Sequence, residues 1–126
     1  TFAGNFRSDG MIVATPTGST GYSLASGGPI LDAEMRALII TPICPFTLSN
    51  RPVVTGEKEI VLEVLEHQRT DIVLTVDGQV LYELKENDKI VVEMSSKRLR
   101  LIHSTKRNFT EVIREKLHWA GDMRNA

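Results

Sequence analysis

The chain has one cysteine, so no disulfide can form within it. That excludes the stapled secreted scaffolds and leads us to expect a reducing, cytoplasmic compartment. Cys44 stands between Pro42 and Pro45 with no histidine close in sequence. It therefore reads as a small buried hydrophobe rather than a nucleophile. Neither sign of charge is in excess: 15 Lys and Arg face 16 Asp and Glu, for a formal net charge of −1. Nucleic-acid-binding domains carry a clear basic surplus, so no nucleic-acid partner is expected. No apolar run approaches the ~20 residues of a bilayer-spanning helix, so no membrane partner is expected. The three histidines, His67, His103 and His118, are scattered without carboxylates at ligand spacing, and side chains of this chain are not expected to hold a metal. No Ser-His-Asp set falls in a strand–turn–helix context, and "GSTG" is not the G-x-S-x-G elbow.

What is present fits one mainly β domain over residues 1–126. The opening residues read as a segment already under way, so the chain is expected to be the later part of a longer protein. After the Asp9-Gly10 turn signal, "MIVAT" (11–15) reads as a short buried strand. "ALIITPI" (37–43) is a second apolar run, ended by Pro42 and Pro45, and "SNRPVV" (49–54) an extended loop leading into an edge. From residue 60 short β-branched runs recur about every ten residues: 60–66, 71–76, 79–84, 89–94 and 98–104. Val76-Asp77-Gly78-Gln79 is a two-residue hairpin signal, because a type I′ turn needs positive φ at both central positions. "KENDK" (85–89) marks the next turn. In 98–104, alternation turns Leu99 and Leu101 inward and Arg98 and Arg100 to solvent. Such spacing favours a sandwich or barrel. The chain closes on a helix capped by Asn108 with Glu111 as reciprocal partner, with Phe109, Val112, Ile113 and Leu117 on one face. Gly121 suits its exit, and Trp119 is its expected anchor on the sheet. The fold class is thus a sandwich-like β domain with a short helix after the Gly/Ser/Thr stretch and a C-terminal helix.

The stretch "TPTGSTGYSLASGG" (15–28) carries the chemistry. It holds fourteen residues without a charge. Two readings of it stand. A glycine-rich turn before a helix presents backbone N–H groups and a partial positive charge, and Ser19, Thr20 and Ser23 add hydroxyls. That suits a phosphate, a ribose or a base edge. Turn and cap chemistry ending one strand and starting a helix would use the same residues. The length favours a ligand, since a purely structural βα turn needs only ~2–6 residues. No lysine stands where a Walker-type loop places one. Asp9 reads either as a turn aspartate beside a solvated Arg7 or as a carboxylate accepting from a ligand, with Arg7 orienting the loop or meeting a phosphate. Asp77 is first a turn residue. Gln79 is less demanded by the turn, and its amide can read a ligand edge.

"SDGMIVATPTGSTGYSLASGGPIL" (8–31) closely resembles the signature of the NAD kinases, which transfer a phosphoryl group to the adenosine ribose 2′-hydroxyl of NAD. "PICPFTLSNRPVV" (42–54), "VDGQ" (76–79) and "KLHWAG" (116–121) resemble further blocks of that family, so the resemblance covers nearly the whole chain. It implies a C-terminal NAD-binding and oligomerisation domain following an α/β domain with "GGDGT" and "NE" motifs. Neither motif occurs here. The family's catalytic aspartate lies in "GGDGT", so the resemblance implies no catalytic residue in this chain and an inactive fragment.

The resemblance also assigns site residues. It puts Arg7 and Asp9 at the NAD site, Asp9 toward the nicotinamide side. Thr20, Gly21, Tyr22, Ser23, Leu24 and Ala25 match a segment contacting NAD partly across a subunit boundary, with Tyr22 stacking on a ring. Gln79 matches another NAD contact, and Thr17 and Asp77 are further candidates. Gly21 and Ala25 depart from the alanine and serine common there; the second departure removes one hydroxyl. The implied partners are NAD, ATP or polyphosphate, and a second copy of the chain in a homodimer or homotetramer. Mg²⁺ or another divalent metal would accompany the phosphate donor. Two other readings stay open: a non-catalytic nucleotide-binding regulatory β-sandwich, and a related lipid-kinase domain, against which the polar stretch speaks.

Overall fold

The computed structural model describes residues 2–65, 71–97, 99–100, 102 and 108–119. The chain divides into two compact units, Thr1–Met94 and Ser95–Ala126. As expected, the architecture is mainly β, with a short helix after the Gly/Ser/Thr stretch and a C-terminal helix.

Three strands build the first sheet. β1 (Gly10–Ala14) and β3 (Val53–Thr55) flank β2 (Leu38–Ile43), both antiparallel to it. In antiparallel pairs, directly opposed residues share a face. Ala14 opposes Ile39 and Ile12 opposes Thr41, so these four side chains point to one side. On that side Ala14, Leu31, Ala37 and Ile39 form the buried core, with Ile12 packed against it. β2 ends at Ile43, where the apolar run 37–43 ends, with Pro42 inside it. The missing N–H is tolerated because β3 ends opposite Ile40, which leaves that stretch of β2 without a strand on its outer side.

The chain leaves β1 into a 3₁₀ turn over 17–20 and one turn of α-helix, α1 (Tyr22–Ala25), and folds back over the core face. Ser23 and Thr41 share a hydrogen bond of 2.9 Å, both fully buried. Gly28 closes the turn: its N–H donates to the Ser23 carbonyl at 2.7 Å. A Cβ on Gly28 would collide with the Ser23 hydroxyl and lie 2.8 Å from its carbonyl oxygen and 2.9 Å from Thr41 Oγ1. Close approach therefore requires glycine here.

The later strands pair as two small sheets. β5 (Ile72–Val76) and β6 (Val80–Leu84) form a hairpin, and β4 (Ile60–Glu63) pairs with β7 (Lys89–Val92) on either side of it in sequence. Asp77 and Gly78 take φ of 51° and 69°, as the type I′ turn demands, and Gln79 N–H donates to Val76 O at 3.0 Å. The loop is nevertheless one residue longer than the two the sequence predicts: Val76 opposes Val80, which leaves Gln79 as an extra residue outside the strand ladder. The "KENDK" turn is held by Asp88 Oδ2, which accepts from Lys85 N–H at 2.7 Å, with Asn87 left-handed. The strand expected at 98–104 lies largely outside the described residues. Among those described, Leu99 is 84% exposed rather than inward.

In the second unit, α2 (Phe109–Leu117) starts on the expected capping box: Asn108 Oδ1 accepts from Glu111 N–H, and Glu111 Oε2 from Asn108 N–H, both at 2.9 Å. It exits through His118, left-handed at φ 51°; Gly121, the expected exit, lies outside the described residues. Trp119, the expected anchor, is 56% exposed.

Replacing Gly28 by alanine is expected to destabilise the first unit by ~1–3 kcal/mol, the usual cost of overpacking. An unchanged thermal midpoint in the full-length protein would show that α1 is not clamped as described.

Candidate functional site

The uncharged stretch is divided by its own hydrogen bonds into an inward and an outward half. Ser19 is fully buried: its hydroxyl donates to Pro16 O at 2.5 Å and accepts from Leu31 N–H at 3.1 Å. Ser23 is spent on Thr41. Two of the three hydroxyls offered by the sequence as ligand donors thus hold the stretch to the sheet instead. Thr20 is exposed, its hydroxyl 3.5 Å from Thr17 O. Thr17, Gly21 and Ala25 are exposed as well, Leu24 is half-buried, and the Tyr22 ring is 65% exposed. Several N–H groups close local turns: Gly18 onto Thr15 Oγ1, Gly21 onto Gly18 O, and Leu24 and Ala25 onto Gly21 O.

Arg7 and Asp9 are both exposed and lie just before β1. The stretch leaves from the other end of that strand, but the fold-back brings it part of the way to them. Ser23 is hydrogen-bonded at the register of Ile12, three residues from Asp9, or about 10 Å along a strand. Tyr22 therefore projects from a segment anchored at the middle of β1 rather than at the end from which the stretch leaves.

The segment 7–9 is fixed by a bulged continuation of the β1–β2 pair. Asp9 N–H donates to Ile43 O and Phe46 N–H to Arg7 O, each at 2.9 Å. Between these bonds Cys44 turns through a left-handed φ of 44° and is exposed, not buried as its residue type suggests. A residue extruded at the bulge has no core to enter. Ser8 Oγ donates to Gly10 O at 2.9 Å. The Arg7 guanidinium lies over the Phe46 ring, 4.9 Å from its centroid.

Gln79 and Asp77 are exposed at the tip of the β5–β6 hairpin. That hairpin is a sheet of its own, with no ladder to β1–β3. Sequence reasoning missed three residues. Thr41 was signalled as the polar residue inside an apolar run. Gly28 carried no signal that separates it from the other glycines of the stretch. The pairing of Phe46 with Arg7 had no local sequence signal, since it depends on the register of two segments far apart in sequence.

Residues 1–104 match the model of the ATP-NAD kinase C-terminal domain family. Curated relatives include the NAD kinase of Magnetococcus marinus, 51% identical over 90% of this chain and 38% of its own length. The NAD kinase of Geotalea daltonii is 45% identical over 90% of this chain and 40% of its own. A crystal structure of yeast NADH kinase complexed with NADH matches with a TM-score of 0.81 at 28% identity, over 96% of this chain and 38% of that one. The chain thus spans about two fifths of the length of these relatives.

If the Ser23–Thr41 pair is structural, Ser23→Ala should cost ~1–3 kcal/mol by stranding the buried Thr41 hydroxyl, and adding Thr41→Val should recover part of the loss. Additive losses in a double-mutant cycle would count against the pair.

Proposed function

The chain belongs to the ATP-NAD kinase C-terminal domain family, and from that membership we propose that it is the NAD-binding and oligomerisation domain of a two-domain NAD kinase. The full-length enzyme would phosphorylate the adenosine ribose 2′-hydroxyl of NAD, in the cytoplasm. The observation that carries this reading is the exposed, uncharged half of 15–28. Thr20, Gly21, Tyr22 and Ala25 are open to a ligand while Ser19 and Ser23 anchor the segment beneath them.

In this reading Tyr22 is the ring platform, and Asp9, held by the Ile43 carbonyl, accepts from the nicotinamide side. Arg7 supplies a positive charge beside it. The Ser23 hydroxyl is engaged on Thr41, so Ser23 would contribute through its backbone and Leu24 through its half-buried side chain. Thr17 stands nearby as a further polar contact. Gln79 and Asp77 join the contact set on family resemblance alone.

Catalysis would come from an aspartate of the other domain, acting on the 2′-hydroxyl of a substrate that this chain holds still. For phosphoryl transfer, positioning and charge stabilisation supply most of the rate. ATP or polyphosphate would be the donor, bringing Mg²⁺ or another divalent ion with it. Among the described residues no three His, Cys, Asp or Glu side chains gather. The donor's phosphates would be the ion's main ligands.

Self-association is supported by the β5–β6 hairpin. Val73 and Leu81 are exposed on one face of it, Val76 and Tyr82 on the other. A two-stranded ribbon is marginal in water by itself, and apolar side chains on both faces call for a cover.

In the full-length enzyme, Asp9→Asn and Tyr22→Ala should raise KM for NAD well beyond any change in KM for the phosphate donor. Equal effects on both substrates would refute the site. The purified 126 residues should show no phosphoryl transfer to NAD; turnover would place catalysis within this chain.

A further inference from the structure

We propose that Phe46 is a positioning residue for Arg7, holding its guanidinium at the NAD site through a cation–π contact. The inference rests on the reading of Arg7 as a group that meets NAD. Two independent observations place the pair. Along the backbone, Phe46 N–H donates to Arg7 O at 2.9 Å, so the two residues are locked in register across the bulge. At the side chains, the guanidinium carbon stands 4.9 Å from the ring centroid, inside the ~6 Å range of an effective cation–π contact.

An exposed arginine samples many rotamers, and ordering it on a ligand costs side-chain entropy. A ring face beneath the planar guanidinium removes much of that freedom before the ligand arrives and leaves the N–H fork available. Phe46 is 75% exposed, so its burial contributes little to the core. Its placement is explained by what it does to Arg7. Past the bulge that extrudes Cys44, the backbone pairing resumes with residue 46 opposite residue 7.

The test uses the full-length protein. A cation–π contact at an exposed site is worth about 2–5-fold in an equilibrium. Phe46→Leu should therefore raise KM for NAD by about that factor with kcat nearly unchanged, and Phe46→Tyr should restore the original value. In an Arg7→Gln background, Phe46→Leu should have no further effect. Side-chain proton resonances of Arg7, shifted upfield by the ring current, should move downfield in Phe46→Leu. The proposal is overturned if Phe46→Leu leaves KM unchanged while Arg7→Gln raises it, if Tyr fails to rescue, or if Phe46→Leu keeps its full effect without Arg7. It is also overturned if the Arg7 resonances do not move. Failure of the underlying site reading looks different: Arg7→Gln itself leaves KM for NAD unchanged, and the positioning role falls with it.

Discussion

Ser23 and Thr41 meet hydroxyl to hydroxyl at 2.9 Å where neither is exposed, and the geometry of the candidate site depends on that contact. α1 is one turn long, far too short to be stable by propagation of its own hydrogen bonds. It has to be held from outside. The sheet offers one polar group on its core face at that register, and the helix offers one serine to meet it. Gly28 completes the clamp by approaching so closely that no side chain fits. Ser19, bonded to Pro16 and Leu31, pins the preceding turn in the same way. A buried hydroxyl without a partner costs more than a satisfied one gains, so these bonds specify position more than they add stability.

The second fixed point is the bulge at 43–46. A regular ladder past Gly10 and Ile43 would place residue 44 opposite residue 9 and residue 46 opposite residue 7. The observed bonds, Asp9 to Ile43 and Phe46 to Arg7, keep the second pairing and lose the first. Cys44 takes up the mismatch with a left-handed backbone, and Pro45 carries the chain back. Arg7 and Asp9 therefore sit on a backbone bonded at two points rather than on a free arm. A residue that must meet a ligand gains from such support, because less ordering remains for the ligand to impose.

The strands, the type I′ turn at Asp77-Gly78 and the capping box at Asn108 were legible because each rests on local chemistry. β-branching, positive φ and an N-cap act within a few residues of one another. Pro42 is tolerated inside the run 37–43 because its penalty depends on whether another strand needs its N–H, which is a property of the sheet. Cys44 misled because residue type predicts burial only on average, whereas a bulge is set by the register of two segments far apart in sequence. The site was half legible. The stretch 15–28 announced itself by composition, yet composition does not say which hydroxyls turn inward. Only the pairing of β1 with β2, which sets Thr41 beneath Ser23, decides that.

The inward turn also sharpens what the absence of charge means. At Ser19, Ser23 and Gly28 folding alone forbids it, since an ion in those buried positions would be desolvated without a partner. At Thr17, Thr20, Gly21, Tyr22 and Ala25 folding makes no such demand. These positions are exposed, and apart from Gly21, where a Cβ would crowd the Gly18 carbonyl, lysine or glutamate would be tolerated there at little cost to stability. A run of exposed positions that holds only small, polar or aromatic residues is what close contact with a ligand's rings and sugars requires. In the proposed reading charge is supplied instead at Arg7 and Asp9, on the doubly bonded segment before β1. In the proposed site the uncharged half would meet the apolar parts, and the charged pair the polar parts, of one dinucleotide.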